Sequence, residues 1–361
     1  MSVSARRTAL RELLRTAGVD ALLVTNLINV RYLTGFTGSS AALLVHAEGD
    51  GRSRFCTDGR YRTQAARQVP DLERVQERAS ALALATAAPG WGVRRLGFES
   101  DAVTVDAHAA LDQAAGEVTL HRAPGLVPRL RLTKDADEID ALRAACTAAD
   151  AALADLLAVG GVAPGRTERE VALDLESRMR GHGAQGPSFE TIVAAGTHSA
   201  VPHHRPTDTE LRAGDLVKID FGALCEGYHS DMTRTVVLGR AAEWQREIYD
   251  VVAAAQRAGC AALAPGADVV AVDAVARTVC ADAGHGDRFV HGLGHGVGLQ
   301  IHEAPSLSAT GAGVLAAGMV VTVEPGVYLE GRGGVRIEDT LVVRDGAPDL
   351  LTLTTKELLE V

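Results

Sequence analysis

The sequence lacks an excess of basic residues. Its 36 Lys and Arg stand against 46 Asp and Glu, which gives a net charge of −10. This balance argues against a general nucleic-acid-binding protein, because such proteins carry basic surfaces. The N-terminal segment MSVSARRTALRELLRTAG also lacks the uninterrupted apolar stretch of a signal peptide. We therefore expect a cytoplasmic protein that binds no nucleic acid.

The sequence also has few features of a disulfide-linked or membrane protein. Its five cysteines contain no CxxC pair and are odd in number, so they support neither a disulfide framework nor a zinc ribbon. The longest uncharged run, 304–323, contains Pro305 and several glycines, and we interpret it as a loop followed by a strand. We therefore expect no membrane association. With 361 residues, of which 47% are hydrophobic, the chain is long enough for two domains.

The residue pattern changes near Arg131. Before it, helical patterns alternate with short apolar runs, which is typical of an α/β domain, and the proline-containing segment 121–135 is interpreted as an extended linker. After it, stretches rich in helical pattern alternate with stretches rich in strand pattern, which favours an α+β domain with helices on one face of a mainly antiparallel sheet. The predicted domains are therefore 1–131 and 132–361.

Five short segments of the second domain carry acids and histidines at predicted strands and turns. Taken alone, each of the four candidate acidic residues in these segments would be interpreted as an ordinary solvated surface residue. Asp220 and Asp231 are predicted to meet across a hairpin, and Glu338 to lie in the middle of a strand. The segments are VKIDFG with Asp220, HSDMTRT with Asp231, HGLGHGVGLQIHE with His291, His295 and His302, TVEPG with Glu324, and VRIEDT with Glu338.

The combination of these acids predicts a centre with two metal ions. Four converging carboxylates carry a charge of −4, which two divalent cations would cancel. Oxygen ligands with one imidazole favour manganese, with cobalt or zinc as alternatives. The glycines around His291 and His295 indicate a turn, and we expect one of these two histidines to be a metal ligand. Two ions roughly 3.5–4 Å apart can hold a bridging water, lower its pKa and polarise a carbonyl, so the predicted chemistry is hydrolysis.

Taken together, these motifs resemble the pita-bread metallopeptidases, in the branch of Xaa-Pro aminopeptidase and Xaa-Pro dipeptidase (prolidase). The segments GVDALLVTNLINVRYLTGFTGSS and TDGRY resemble the creatinase-type N-terminal domain of that branch. The resemblance implies a creatinase-like α/β domain over 1–131 and a pita-bread catalytic domain over 132–361, in which a curved antiparallel sheet carries helices on its outer face. It also implies a homodimer and a proline-containing peptide as substrate.

The resemblance further implies a role for each candidate residue. Asp220 would bind one ion, Asp231 and Glu338 would bridge both, and His295 would bind the second. Glu324 would bind that second ion and also act as general base toward the bridging water. The implied catalytic residues are His203, His302 and Glu324, and the implied substrate-binding residues are His291, Arg336 and Tyr328.

The residue four positions after His302 bears on the choice of substrate. Prolidases often carry an arginine there, where it can hold the carboxylate of a dipeptide in a bidentate pair. This sequence has Ser306 at that position, so we predict an Xaa-Pro aminopeptidase that acts on longer peptides. The alternative is an Xaa-Pro dipeptidase in which Arg205 or Arg332 takes over the carboxylate. A non-catalytic binding module is a further alternative, which the complete ligand set argues against.

Overall fold

The computed structural model describes all residues from Met1 to Val361 and divides them into two compact units, Met1–Arg131 and Leu132–Val361. None of the helices combines the length and the apolar character that a membrane crossing requires. The uncharged run 304–323 forms one strand at each end with a loop between them. The sequence predicts a loop followed by a strand, and the structure differs from this prediction only by the additional strand at the start of the run.

The first unit is built on a six-stranded mixed sheet. Its strands are β1 (Ala21–Val24), β2 (Ala41–His46), β3 (Arg54–Thr57), β4 (Glu73–Gln76), β5 (Arg95–Phe98) and β6 (Thr119–Arg122), in the order β4-β3-β2-β1-β5-β6. Its helices are α1 (Val3–Ala17), α2 (Leu27–Thr34), α3 (Arg62–Gln68), α4 (Ser80–Ala87), α5 (Val105–Ala115) and α6 (Leu126–Arg131). The central strand β1 is buried along its whole length, because its ALLV sequence pairs with β2 on one side and β5 on the other.

The predicted extended linker was wrong. Leu126–Arg131 forms helix α6, with Pro128 in its first turn. A proline is tolerated there because the first N–H groups of a helix have no acceptor within the helix. Helix α2 was also absent from the prediction, although Asn26 caps its N-terminus and Gly35, with φ 76°, ends it.

The second unit combines four helices with short antiparallel strands. Its helices are α7 (Ala136–Ala158), α8 (Glu168–Gly181), α9 (Glu243–Ala261) and α10 (Val269–Asp282). Its strands are β7 (Gly186–Pro187), β8 (Ile192–Ala195), β9 (Leu216–Phe221), β10 (Ala223–Cys225), β11 (Tyr228–His229), β12 (Met232–Val237), β13 (Gly294–Gly296), β14 (Glu303–Leu307), β15 (Val320–Val323), β16 (Gly326–Leu329), β17 (Gly333–Arg336), β18 (Asp339–Val342) and β19 (Asp349–Leu350).

Two sheets of this unit carry the site, and each has its own pair of helices. The sheet β12-β9-β8 shares a hydrophobic core with α7 and α8, in which Leu153, Leu175 and Ile219 are buried. The sheet β14-β13-β15-β18-β19 shares a second core with α9 and α10, in which Val252 and Val321 are buried. Helix and sheet therefore bury each other's apolar faces, as expected for the predicted α+β class.

Two strands that the sequence predicts as continuous are interrupted at acidic residues. The predicted strand 229–238 is divided into β11 and β12, with Asp231 in the gap, and Asp220 pairs with Thr233 instead of Asp231. The predicted strand 335–343 is divided into β17 and β18, with Glu338 in the gap. The prediction of Glu338 in the middle of a strand was therefore wrong. Both acids lie where the backbone leaves the hydrogen-bonded ladder, so their side chains are not restricted to its alternation.

Candidate metal centre and active site

A cavity of about 280 Å³ lies in the second unit. Its wall also contains Phe189, Ile192 and Ile301, which provide an apolar surface beside the charged groups. The structure thus brings together the five predicted metal ligands and all three predicted catalytic residues, because Glu324 belongs to both groups. The predicted residues in the wall are Asp220, Asp231, His295, Glu324, Glu338, His203 and His302.

His295 reaches the cavity from the middle of the short strand β13, so the turn predicted around it was wrong. A Cβ atom on Gly294 would lie 2.1 Å from the carbonyl oxygen of Thr322, and one on Gly296 would lie 2.1 Å from that of Ala304. Only glycine permits backbone this close on both sides of the histidine. The glycine pattern of the sequence was therefore a correct sign of close approach.

The donor atoms of the centre converge. Nε2 of His295 lies 3.5 Å from Oδ2 of Asp231 and 3.5 Å from Oε1 of Glu324. Donor atoms of Asp231, His295 and Glu338 all lie within 4.8 Å of one another. Oδ1 of Asp220 is buried without a hydrogen-bond partner, while Oδ2 of Asp220 accepts a hydrogen bond from Arg336. An unpartnered buried carboxylate oxygen that faces other carboxylates is suited to a cation.

The charges of the site also call for cations. Burial, with the charges of neighbouring carboxylates, raises the pKa of Asp231 and of Glu338 well above the ordinary range and raises the pKa of Glu324 to about 8. Burial lowers the pKa of His295 to about 4, so its ring is neutral at pH 7. Nδ1 of His295 lies 3.1 Å from the carbonyl oxygen of Gly296, which assigns the proton to Nδ1 and leaves the lone pair of Nε2 for a metal ion. The residues present therefore fit divalent metal ions.

We expect the affinity of the protein for Mn²⁺ to rise between pH 6 and pH 8. Because the pKa of Glu324 is raised to about 8, this carboxyl group is protonated at pH 6 and an ion must displace its proton. His295, with its pKa lowered to about 4, is neutral across this range and does not compete. Each displaced proton should raise the affinity about tenfold per pH unit. Calorimetric titration of chelator-stripped protein at both pH values measures this, and equal affinities would contradict it.

Two histidines face the cavity beside the proposed metal ligands. The ring of His302 packs edge-on against that of His295, with 4.4 Å between the ring centres. His203 lies on the loop between β8 and β9, and partial burial together with the charge of Arg336 lowers its pKa. His203 is therefore neutral at pH 7 and can donate or accept a hydrogen bond.

The loop that carries His203 is held by two buried ionisable residues that sequence reasoning missed, and burial lowers the pKa of one of them, Lys218, to about 6. Nζ of Lys218 donates to the carbonyl oxygens of Ser199, Val201 and Pro202, at 3.3, 2.6 and 3.1 Å. Glu168 accepts hydrogen bonds from the backbone N–H groups of Ala195 and Thr207, near the two ends of the loop. A lysine between Val217 and Ile219 in a predicted strand was the available sequence signal for Lys218. Its partners, however, lie in a loop whose path the sequence does not indicate.

The three predicted substrate-binding residues form a connected group behind the metal ligands and are not part of the cavity wall. Nε2 of His291 lies 2.8 Å from the hydroxyl oxygen of Tyr328, and Arg336 donates to the same hydroxyl at 3.0 Å. Nδ1 of His291 is hydrogen-bonded to the carbonyl oxygen of Gly292. Arg336 pairs with Asp220. In the structure these residues support Asp220, and their contact with substrate stays a prediction.

A second buried ion network lies beside Glu338 in the chain. Asp339 is fully buried and pairs with Arg234 at 2.8 Å and with Lys356. Burial opposes ionisation of Asp339, but the charges of Arg234 and Lys356 lower the pKa of this carboxyl group below its ordinary value. Arg234 also donates to the carbonyl oxygens of Thr354 and Thr355. The network therefore ties β12, β18 and the C-terminal segment together.

Comparison with known proteins adds two family matches. Residues 140–345 match the model for metallopeptidase family M24, and this range contains all five proposed metal ligands. Residues 6–133 match the model for the creatinase/prolidase N-terminal domain. The two matches together cover most of the chain.

Relatives and solved structures agree with these matches. The chain is 35% identical over 344 residues to an Xaa-Pro dipeptidase of Pyrococcus horikoshii, with 94% of this chain and 95% of the relative covered. It superimposes on an Xaa-Pro dipeptidase from Bacillus anthracis with a TM-score of 0.95, at 38% identity, covering 100% of both chains. An X-Pro aminopeptidase from Thermotoga maritima superimposes with a TM-score of 0.88, at 32% identity, covering 98% of both chains.

Proposed function

Because the chain belongs to metallopeptidase family M24 and carries a creatinase/prolidase N-terminal domain, we propose that it is an Xaa-Pro dipeptidase. The family match confirms the resemblance, the pita-bread fold and the class of enzyme predicted from the sequence. The chain is a metal-dependent Xaa-Pro peptidase of this family, and its dipeptidase relatives favour the alternative in our prediction over the aminopeptidase. Manganese, the homodimer and the cytoplasmic location stay predictions.

The observation that carries the proposal is the position of Arg205. The prediction of an aminopeptidase depended on Ser306, but the side chain of Ser306 is exposed and lies outside the cavity wall. Arg205 is part of that wall, in the same cavity as the metal ligands. Arg332, the other arginine considered, packs its guanidinium 4.2 Å from the ring centre of Trp244 and lines a different cavity. Arg205 is therefore the arginine available to a dipeptide carboxylate.

The side chain of Arg205 is 83% exposed, so its guanidinium is accessible to a substrate in the cavity. Its Nε lies 3.2 Å from Oε2 of Glu190, which is also in the wall. This contact leaves the two terminal amino groups for a second carboxylate, and a bidentate pair of that kind is directional as well as strong. We propose that the carboxylate is the C-terminal group of the Xaa-Pro substrate. A longer peptide has an uncharged peptide group at this point and gains less from Arg205.

The protein residues divide the proposed reaction among them. Asp220, Asp231, His295, Glu324 and Glu338 would hold two divalent ions, which when bound supply Lewis-acid polarisation of the scissile carbonyl and an acidified water. Glu324 accepts a proton from the attacking water and returns it to the proline nitrogen as the C–N bond breaks. His203 and His302 hydrogen-bond the substrate at the scissile peptide group. Proline offers no N–H at this bond, so binding depends on these groups and on the carboxylate.

The proposal is tested by comparing an Xaa-Pro dipeptide with an Xaa-Pro-Xaa tripeptide. Chelator-stripped protein is assayed on each substrate at equal concentration, with and without added manganese. We expect metal-dependent hydrolysis with a higher kcat/KM for the dipeptide. A strong preference for the tripeptide would instead establish the aminopeptidase. Inactivity on both substrates with metal present would favour a non-catalytic binding module.

We expect Arg205→Ala to raise the KM for the dipeptide about ten- to hundredfold, with a smaller effect on the tripeptide. Loss of a charge-assisted hydrogen-bonded pair costs ~1.5–3 kcal/mol, and only the dipeptide places its carboxylate at this position. Steady-state kinetics on both substrates measures the difference. Arg332→Ala is the matched control, because it removes an arginine from a different cavity. Equal effects of Arg205→Ala on the two substrates would rule out Arg205 as the carboxylate-binding residue.

A further inference from the structure

A second cluster of side chains with metal-ligand chemistry lies in the catalytic unit. It contains none of the five proposed ligands, although one member, His204, lines the same cavity. It consists of Glu168, at the start of α8, with His198 and His204 from the loop between β8 and β9. Their nitrogen and oxygen donor atoms all lie within 4.8 Å of one another. None of the three is part of a motif to which the sequence gives a function.

The two imidazoles approach the same carboxylate from one side. Nδ1 of His198 lies 2.9 Å from Oε1 of Glu168, and Nε2 of His204 lies 2.8 Å from Oε2. The two rings are stacked, with 4.3 Å between their centres and an angle of 29° between their planes. Each stacked ring therefore holds one nitrogen against a different oxygen of the same carboxylate. In a tetrahedral zinc site with bonds of about 2.0–2.1 Å, neighbouring ligand atoms are about 3.3 Å apart. The donor atoms of the cluster, which lie within 4.8 Å of one another, are close to this spacing.

The charge of Glu168 also favours a cation. The side chain of Glu168 is fully buried, and its ion-pair partners are His198 and His204, with no lysine or arginine paired to it. Burial opposes ionisation of Glu168, but hydrogen bonds from Ala195, His204 and Thr207 lower the pKa of this carboxyl group, so it is charged at pH 7. A buried carboxylate that is held by imidazoles, a hydroxyl and backbone N–H groups, without a lysine or arginine, gains electrostatically from a divalent ion.

Solvent and ions can reach the cluster. The side chain of His198 is 34% exposed and that of His204 is 11% exposed, while Glu168 forms the closed inner end. Each imidazole now donates an N–H to Glu168. An ion binds when each ring carries its proton on its other nitrogen or releases it to solvent, which frees a lone pair toward the ion. The hydrogen bonds from Ala195 and Thr207 to Glu168 can remain in place.

We propose that Glu168, His198 and His204 bind an additional divalent transition-metal ion, of the class that prefers imidazole, such as Zn²⁺. The two-histidine, one-carboxylate ligand set suits Zn²⁺ better than Ca²⁺ or Mg²⁺, which prefer oxygen ligands. The ion would join α8 to the loop that carries His203, because His204 is the next residue. The proposal does not depend on the peptidase proposal, since the five ligands of that centre are different residues.

The test is the number of Zn²⁺ ions that the full-length protein retains. Chelator-stripped protein is dialysed against Zn²⁺, and bound zinc is counted per chain by elemental analysis. His198→Gln and His204→Gln are the test variants, because a glutamine amide can still donate a hydrogen bond to Glu168 but is a poor zinc ligand. His182→Gln is the matched control, because Nε2 of His182 pairs with Asp155 at 2.8 Å in a histidine–carboxylate pair without a third ligand.

We expect the unmodified protein and His182→Gln to retain one zinc ion per chain more than either test variant. Equal zinc counts in the unmodified protein and in both test variants would overturn the proposal. The unmodified protein with zinc added should also give an X-ray absorption spectrum that includes this nitrogen-rich site, and His198→Gln should reduce that contribution. Peptidase activity of the stripped protein after manganese is restored tests the catalytic centre separately, so failure of one proposal is distinguished from failure of the other.

Discussion

Replacing Glu338 by glutamine should lower kcat/KM by about a thousandfold, which corresponds to ~4 kcal/mol of lost transition-state stabilisation. The substitution preserves the shape of the side chain and can keep the 2.7 Å hydrogen bond from Oγ1 of Thr233. It removes one carboxylate from a buried group in which burial and the neighbouring carboxylates raise the pKa values, and which divalent cations would neutralise. A site with an uncharged amide in this place holds two divalent ions less tightly, and the proposed catalysis requires both.

The measurement combines kinetics with metal content. The variant is assayed with an Xaa-Pro dipeptide in saturating Mn²⁺, and bound manganese is counted after dialysis. Glu330→Gln is the matched control, because Glu330 is exposed and lines a different cavity. Full activity of Glu338→Gln, with its metal content unchanged, would show that Glu338 is not a ligand.

Replacing Asp339 by alanine should lower the free energy of unfolding by about 3–5 kcal/mol. The substitution leaves the buried guanidinium of Arg234 without the carboxylate that balances its charge. It also leaves the donors of Gln256 and Thr352 without their acceptor. Removal of one member of a buried ion network costs more than the network contributes, because the remaining charge cannot return to water without disrupting the fold.

Urea denaturation of chelator-stripped protein measures this loss of stability without interference from metal binding. Asp349→Ala is the matched control, since Asp349 is partly exposed and its ion pairs with Arg143 and Arg344 lie at the surface. That change should cost less than about 1 kcal/mol. If the two variants lose stability to the same extent, the network around Asp339 is not the stabilising element that the structure indicates.

The sequence predicts elements well where local pattern decides them. The sequence predicts strands over 21–24, 95–98 and 320–323, and the structure has strands with these bounds, because each is a short segment with buried apolar residues. The sequence TERE also predicts a capping box of Thr167 with Glu170, which the structure contains. These features depend on residues within a few positions of one another.

The features that the sequence does not reveal depend on distant partners. The strands predicted over 229–238 and 335–343 run through Asp231 and Glu338, so the sequence gives no sign that the backbone leaves the ladder there. In the sequence, Lys218 and Glu168 are indistinguishable from ordinary charged residues. Their role depends on the loop from Ala195 to Thr207, whose groups hydrogen-bond to them only in the folded protein. The grouping of the five proposed ligands in one cavity wall was predictable, because buried like charges require a shared compensation. Their strand geometry was not predictable from the sequence.

The proposed ligands come from two different sheets, and this has a consequence for the order of folding. Asp220 lies in β9 and Asp231 directly precedes β12, both in the sheet β12-β9-β8. His295 lies in β13 and Glu324 directly follows β15, both in the sheet β14-β13-β15-β18-β19. A chain in which only one sheet has formed offers an incomplete ligand set, so tight binding of ions must await the meeting of both sheets. Interactions that form this late stabilise the native state more than the folding transition state. Divalent ions should therefore act on the kinetics chiefly by slowing unfolding, with little effect on the rate of folding.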